Sequence, residues 1–280
     1  MLVEIAKSAG FCFGVKRAVS CVYDEIRDGK GPIYTYGPII HNEQVTDDLT
    51  AKGVNIINSL DELDGIHEGT LIIRSHGVSK AELDKINSSG LRVIDATCPF
   101  VKRIHRIVED ASAAGRDVII IGNPDHPEVR AIKGWSSGRC FVIKNQDELD
   151  HLPELKKVTV VSQTTFNHIN FQEIVDKLVE MDYDMNVVNT ICNATQERQS
   201  EAVDIARLVE AMIVIGGKHS SNTQKLYELC KHECSHTYYV QTLDDLTSQW
   251  FPHVSSVGIT AGASTPNIII EEVHTYVRSI

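Results

Sequence analysis

Short, uninterrupted apolar runs alternate along the chain with longer segments in which apolar and polar residues recur at helical spacing. Runs such as TLIIRS, DVIIIG and AMIVIG contain too few residues for a helix and are rich in β-branched side chains. This pattern is typical of strands that are covered on both faces, as in parallel sheets. Because helical segments lie between the runs, the sequence predicts an α/β fold.

The pattern also repeats three times. An apolar strand, a short turn with a cysteine and a helical run recur around Cys12, Cys98 and Cys192, which are 86 and 94 residues apart. Two further strand–turn–helix segments follow each cysteine, and their turns carry His41, His76, His126, Gln163, Thr164, Thr165, Ser220, Ser221, Asn222 and Ser264. We therefore predict three similar α/β domains, spanning 13–97, 98–190, and 191–280 together with 1–12.

Each repeated cysteine falls just after a strand and at the start of a helix. Ligands of open parallel sheets bind beyond the carboxyl ends of the strands, and a helix N-terminus favours a thiolate over a thiol. Three such units around a pseudo-threefold axis would direct three thiolates to one centre. Such a centre suits either a 4Fe-4S cluster with one open iron or a zinc ion with an open position, and the spacing does not decide between them.

The remaining cysteines suggest no second metal site. Cys21, Cys140 and Cys230 are interpreted as small buried residues. The segment ELCKHECSH alternates cysteine and histidine, but it has no counterpart in the other repeats. We interpret it as the end of a helix followed by a strand.

The polar turns have the composition of an anion site. Histidines, hydroxyl groups, glycines and an amide stand just before helices, where backbone N–H groups and the helix dipole favour phosphate or diphosphate. Neither a Walker loop nor a G-x-G-x-x-G motif after a strand is present, so any electrons must come from another protein. Glu128 lies two residues after His126, where its carboxyl group could carry protons with Thr164 or Thr165 as a relay.

Composition and charge argue against a nucleic-acid-binding, secreted or membrane-spanning protein. The chain has 280 residues and a formal net charge of −11, which disfavours non-specific binding to nucleic acid. The N-terminus shows no signal-peptide pattern, and no apolar stretch is long enough to cross a membrane. The seven cysteines are thus expected to be reduced thiols or metal ligands in the cytoplasm.

The motifs GFCFGV, SHGVS, DATCP, HPEV, SQTT, ICNAT, SSNT and TAGAS occur in order over nearly the whole chain. Together they resemble the 4-hydroxy-3-methylbut-2-enyl diphosphate reductase family, also called the IspH or LytB family. The one mild departure is His219, which stands where family members often carry asparagine.

The resemblance implies a trefoil of three α/β domains around a central 4Fe-4S cluster held by Cys12, Cys98 and Cys192, with the fourth iron open to the substrate's allylic hydroxyl. It implies that Glu128, with Thr164 and His126, delivers the protons. It also implies that a ferredoxin or flavodoxin donates the electrons. The substrate's diphosphate is assigned to His41, His76, His126, Thr164, Thr165, Ser220, Ser221, Asn222 and Ser264.

Two alternatives make different predictions. A zinc hydrolase of phosphorylated metabolites would be colourless, stable in air and redox-inactive. A redox or iron sensor without catalysis would not need Glu128 or the paired hydroxyl groups.

Overall fold

The computed structural model describes residues 1–251 and 254–280. These residues form two compact units. The first contains residues 1–16, 41–47 and 192–280, and the second contains residues 17–40 and 48–191.

Twelve strands occur within the described residues: β1 Leu2–Ile5, β2 Ile33–Tyr36, β3 Val54–Ile57, β4 Thr70–Ile73, β5 Arg92–Asp95, β6 Asp117–Ile121, β7 Cys140–Ile143, β8 Lys157–Ser162, β9 Asp184–Val187, β10 Ala211–Ile215, β11 Thr237–Val240 and β12 Ser256–Ala261. The α-helices of the same residues are α1 Phe13–Asp28, α2 Glu43–Ala51, α3 Leu60–Leu63, α4 Lys80–Asn87, α5 Pro99–Ala113, α6 Pro127–Lys133, α7 His168–Val179, α8 Asn193–Leu208, α9 Ser221–Glu233 and α10 Asn267–Ser279. Three short 3₁₀ helices span Gln146–His151, Leu243–Asp245 and Ser248–Trp250.

The strands form three four-stranded sheets with one common topology. Their orders are β3-β2-β4-β5, β7-β6-β8-β9 and β11-β10-β12-β1, and every pairing is parallel. The inner strands are the apolar runs of the sequence, and residues such as Ile120 and Ile213 are fully buried. Helices cover both faces of such sheets, which explains why these strands are continuously hydrophobic rather than alternating.

The first unit is built on the sheet that joins the two ends of the chain. β1 pairs with β12 in the register Leu2 to Ser256, and α10 packs beside it. One face of the sheet buries Ile213, Ile259 and Val273, and the other buries Met212, Leu226 and Cys230. N-terminal and C-terminal segments therefore share one hydrophobic core.

The second unit holds the other two sheets. β2–β5 pack around Leu71 and Ile73, whereas β6–β9 bury Ile119 and Val160 beneath α7. The loops begin their helices with local signals: Ser79 forms a capping box with Glu82 at the start of α4, and proline occupies the first turn of α5 and α6.

The α/β class and the three similar domains are confirmed. Each sheet lies inside one of the predicted ranges 13–97, 98–190, and 191–280 with 1–12, although those boundaries themselves stay a prediction. The structure has no α-helix, within its described residues, that combines the length and the hydropathy needed to span a membrane.

The cysteine–histidine segment is a helix end followed by a strand, as expected. Cys230 and Cys234 are buried in the apolar core of the first unit, while the side chain of His232 is 84% exposed. Burial raises the pKa of the Cys230 thiol to about 12, and burial has the same effect on Cys140. Neither thiol is therefore prepared to act as a thiolate ligand.

Replacing Ile213 by alanine tests the packing of the first unit. Ile213 is fully buried on the central strand β10, so Ile213→Ala should lower the free energy of unfolding by about 2–5 kcal/mol. Leu208→Ala is the matched control, because Leu208 is 76% exposed and its loss should change stability by less than about 0.5 kcal/mol. Urea denaturation followed by circular dichroism measures both, and equal losses would contradict the assigned core.

Candidate active site

All three repeated cysteines stand at the beginning of a helix. Cys98 and Cys192 are the N-cap residues of α5 and α8, and Cys12 directly precedes α1. All three are half-buried, and none of the seven cysteines, all within the described residues, forms a disulfide. The partial positive charge of a helix N-terminus stabilises a thiolate, so each position suits a metal ligand.

In the first unit, the loop that carries Cys12 lies against the turn between β12 and α10. The backbone N–H of Cys12 donates to the carbonyl of Ala263 at 3.2 Å. Gly10 has a φ of +97°, and a Cβ atom there would lie 2.7 Å from Oδ1 of Asn267. Only glycine therefore allows the loop to approach α10 so closely.

The same turn contributes to a cluster of polar groups in the first unit. The Ser264 hydroxyl donates to the carbonyl of His41 at 3.0 Å and lies 3.5 Å from Oγ of Ser220. Ser220 caps α9, where its hydroxyl accepts from the backbone N–H of Thr223, and Ser221 is the first residue of that helix. Hydroxyl groups and the helix N-terminus thus meet beside His41.

Asn222 adds an amide to this cluster. It is 4% exposed, and its Oδ1 accepts from the backbone N–H of Ala263 at 3.1 Å. Its Nδ2 is buried and makes no hydrogen bond to the described residues. A buried donor of this kind normally has an acceptor, so this group of polar side chains suits the binding of an anionic oxygen.

Residues 41–43 pack tightly on the turn after β10. A Cβ atom at Gly217 would lie 2.9 Å from the carbonyl oxygen of His41, so this close approach requires glycine. His219, the departure from the family pattern, has a side chain that is 80% exposed to solvent. Its Nε2 lies 3.8 Å from Oε1 of Glu43.

In the second unit, Cys98 adjoins the turn that carries His76. The backbone N–H of Cys98 donates to the carbonyl of Ser75 at 2.9 Å. The Arg17 guanidinium donates to the carbonyls of Asp95, Ala96 and Thr97 at 3.1–3.2 Å. These contacts fix the loop that ends at Cys98.

His76 and His126 meet in a T-shaped contact, with ring centroids 5.3 Å apart. His126 is the N-cap of α6, and its Nδ1 accepts from the backbone N–H of Glu128 at 3.1 Å. A neutral His126 ring therefore carries its proton on Nε2, which can donate to another group.

Glu128 is 2% exposed and binds Thr164 with both oxygens. Its Oε1 accepts from the Thr164 backbone N–H at 2.6 Å, and its Oε2 accepts from the Thr164 hydroxyl at 2.7 Å. Burial raises the pKa of the Glu128 carboxyl, and the two hydrogen bonds from Thr164 act in the opposite direction. A carboxyl group with a raised pKa keeps its proton to higher pH than an exposed carboxyl does, which suits a proton donor.

Neighbouring polar groups support this pair. Gln163 is 1% exposed; its Oε1 accepts from the backbone N–H of Asn123, and its Nε2 donates to the half-buried Thr165 hydroxyl at 3.0 Å. The Thr190 hydroxyl donates to the carbonyl of Ser162 at 2.6 Å, which fixes the segment before Cys192 to the end of β8.

Sequence reasoning missed the buried arginine of the first unit. Arg198 on α8 is 3% exposed and donates to the carbonyls of Ser8 and Gly10 in the loop before Cys12. The signal was present in the repeat, because Arg17, Arg103 and Arg198 follow the three cysteines by five, five and six residues.

Comparison with known proteins identifies the family. A family model described as "LytB protein" matches residues 3–278. The chain belongs to the LytB family.

Relatives in the LytB family match over their full length. A protein of Caldanaerobacter subterraneus subsp. tengcongensis, named 4-hydroxy-3-methylbut-2-enyl diphosphate reductase, is 43% identical over 282 residues, which cover 100% of this chain and 98% of that protein. A Thermoanaerobacter sp. protein of the same name is 45% identical and covers 99% of this chain and 97% of its own.

Two solved reductase structures have the same fold as this chain. A structure described as (E)-4-hydroxy-3-methyl-but-2-enyl diphosphate reductase, the terminal enzyme of the non-mevalonate pathway, has a TM-score of 0.73 at 40% identity and covers 100% of both chains. The Plasmodium falciparum reductase has a TM-score of 0.92 at 29% identity, with 99% of this chain and 87% of that chain covered. The predicted family and fold are thus confirmed.

Replacing Thr164 by valine tests the electrostatics of Glu128. Thr164→Val removes the hydroxyl that donates to Oε2, so the carboxylate loses stabilisation and the pKa of Glu128 should rise further. The carboxylic C=O stretch in pH-difference infrared spectra reports its protonation. The control Glu128→Gln should lack that band, and a midpoint that stays or falls in Thr164→Val would contradict the assignment.

Proposed function

We propose that the protein reductively dehydroxylates (E)-4-hydroxy-3-methylbut-2-enyl diphosphate to isopentenyl and dimethylallyl diphosphate, the last step of the non-mevalonate isoprenoid pathway. The full-length match to reductases of this name carries the proposal. The overall reaction takes up two electrons and two protons, cleaves the allylic C–O bond and releases the hydroxyl oxygen as water.

Cys12, Cys98 and Cys192 would hold a 4Fe-4S cluster. Three half-buried thiols at helix N-termini are a donor set that fits iron–sulfur ligation, and the buried Arg198 guanidinium in the first unit suits an anionic group beside Cys12 and Cys192. When bound, the cluster supplies electrons and one open coordination position for the substrate's hydroxyl.

The diphosphate is assigned to His41, His76, His126, Thr164, Thr165, Ser220, Ser221, Asn222 and Ser264. Support comes from the N-terminus of α9 with its hydroxyl groups, the unpaired Nδ2 of Asn222, and Nε2 of His126 as a donor. Holding the charged end of the substrate places binding energy away from the reacting carbon and fixes the orientation of that carbon.

The role of proton donor is assigned to Glu128, with Thr164 and His126 beside it. The carboxyl group is buried and joined to the Thr164 hydroxyl at 2.7 Å, an arrangement through which a proton can pass from one oxygen to the other. His126 orders the first turn of α6 by accepting from the backbone N–H of Glu128, which holds that carboxyl in place.

Electrons would come from an external carrier such as a ferredoxin or flavodoxin, and we place the reaction in the cytoplasm, where thiols stay reduced.

The sensor hypothesis leaves the buried Glu128–Thr164 pair without a role, because a cluster that only signals needs no proton source.

Anaerobic purification with iron and sulfide analysis tests this function. We expect a brown protein with about four irons that consumes the allylic diphosphate when dithionite is added. Cys98→Ser should lose the cluster and the activity, whereas Cys21→Ser, at a half-buried thiol on α1, should keep both. A colourless protein that contains zinc would instead support the hydrolase alternative, and full iron content with activity in Cys98→Ser would refute the ligand assignment.

Removing the carboxyl group tests the proton source. Glu128→Gln keeps the size of the side chain but cannot deliver a proton, so turnover should fall by at least about 10²-fold while iron content and substrate affinity are retained. Stopped-flow kinetics and an equilibrium binding assay separate the two effects. Unchanged turnover would return Glu128 to a structural role.

A further inference from the structure

Arg198 is a buried positive charge that connects two ligand-bearing segments of the first unit. It lies in the second turn of α8, the helix whose N-cap is Cys192. Its Nη2 donates to the carbonyl of Ser8 and, at 2.7 Å, to the carbonyl of Gly10. Both acceptors belong to the loop that leads to Cys12.

Glu201, three residues further along α8, binds the same loop through the N–H and hydroxyl groups of that loop. Its carboxylate accepts from the backbone N–H groups of Lys7 and Ser8 at 2.8 and 2.9 Å and from the Ser8 hydroxyl at 2.5 Å. Two side chains one helical turn apart thus clamp the Cys12 loop to the helix of Cys192.

The clamp uses only part of the guanidinium. Nε and Nη1 of Arg198 are buried and make no hydrogen bond to the described residues. A buried cation with unused donors is costly unless an anion accepts from it. The structure therefore has a place for negative charge beside Arg198.

Four groups interact electrostatically with Arg198. Burial, the largest influence, lowers the pKa of the guanidinium, while the thiols of Cys12 and Cys192 and the carboxylates of Glu201 and Glu197 raise it. The Glu201 carboxylate is bound by the loop and Glu197 is exposed to solvent, so the two cysteines are the groups through which a bound cluster would meet the unused N–H donors.

We infer that Arg198 is a positioning and charge-compensating residue: its Nε and Nη1 donate to sulfur atoms at Cys12 and Cys192 when the cluster is bound, and its charge favours the reduced cluster. This rests on the proposed function. Arg198 is not a catalytic residue, because it acts on the substrate only through the cluster.

The direction of the effect follows from charge. One-electron reduction adds a negative charge to the cluster without adding a proton. A fixed cation in a site of low polarity stabilises the more negative state more strongly, and hydrogen bonds to the sulfurs act in the same direction. Removing Arg198 should therefore make the cluster harder to reduce.

Redox titration of the reconstituted protein without substrate tests the inference. In Arg198→Met, the equilibrium constant for one-electron reduction should fall by at least about tenfold, which is a shift of about 59 mV to lower potential. Arg198→Gln serves as a second neutral variant if the methionine variant does not fold. Arg198→Lys keeps the charge but not the planar set of N–H donors, so its midpoint potential should lie between those of the neutral variants and the parent protein.

Glu201→Ala is the matched control for the clamp. It removes the hydrogen bonds of Glu201 to the loop but leaves the arginine in place and removes a neighbouring negative charge, so the midpoint potential should stay or rise. Equal downward shifts in Glu201→Ala and the neutral Arg198 variants would mean that loop position alone matters, and the charge role would be overturned.

The rate of iron loss to a chelator gives a second readout. The neutral Arg198 variants should lose iron at least about tenfold faster than the parent protein, since both the arginine's hydrogen bonds to the loop and its charge are gone. A parent protein that binds no cluster after reconstitution refutes the proposed function itself. A parent protein that binds it, with unchanged midpoint and iron loss in these variants, refutes only the role of Arg198.

Discussion

The parallel pairing of the strands is the constraint on which the site depends. In a parallel sheet every strand ends at the same edge, and each connection to the next helix must start there. The three sheets share one strand order, so each places equivalent turns at its carboxyl edge. Cys98 and Glu128 occupy such turns, one at the start of α5 and the other in the first turn of α6. Chemistry is thus concentrated at helix N-termini, where thiolates and phosphates are stabilised.

Net charge says little about the field within such turns. The chain carries −11 overall, yet the groups near its cysteines are helix N-termini, Arg17, which donates to the loop before Cys98, and the buried Arg198, which donates to the loop before Cys12. In the first unit the Glu201 carboxylate is engaged by backbone N–H groups, and in the second unit burial raises the pKa of the Glu128 carboxyl. Short-range dipoles and buried charges dominate in regions from which water is excluded.

Much of the fold, and the position of the candidate site residues at strand-to-helix turns, could be predicted from sequence, since both follow from local pattern. Continuous β-branched runs predicted the inner strands, and the threefold recurrence distinguished Cys12, Cys98 and Cys192 from the core thiol Cys230. Burial of polar residues could not be predicted in the same way. The first-turn position of Glu128 is equally compatible with a solvated glutamate, and Arg198 lies in the polar stretch QERQSE, which is typical of an exposed helix face. Their partners, Thr164 and the carbonyls of Ser8 and Gly10, lie 36 to 190 residues away, and no local pattern encodes such pairings.

The pairing of β1 with β12 has a consequence for biosynthesis. β1 leaves the ribosome first, but its partner strand, Ser256–Ala261, is made about 250 residues later. Until then the segment with Cys12 has neither its sheet nor the turn at Ala263 against which it lies. Contacts of such long sequence separation form late, after the loops between them have closed. Under the proposed ligand assignment, a nascent chain therefore cannot hold Cys12 in its folded position until synthesis is nearly finished.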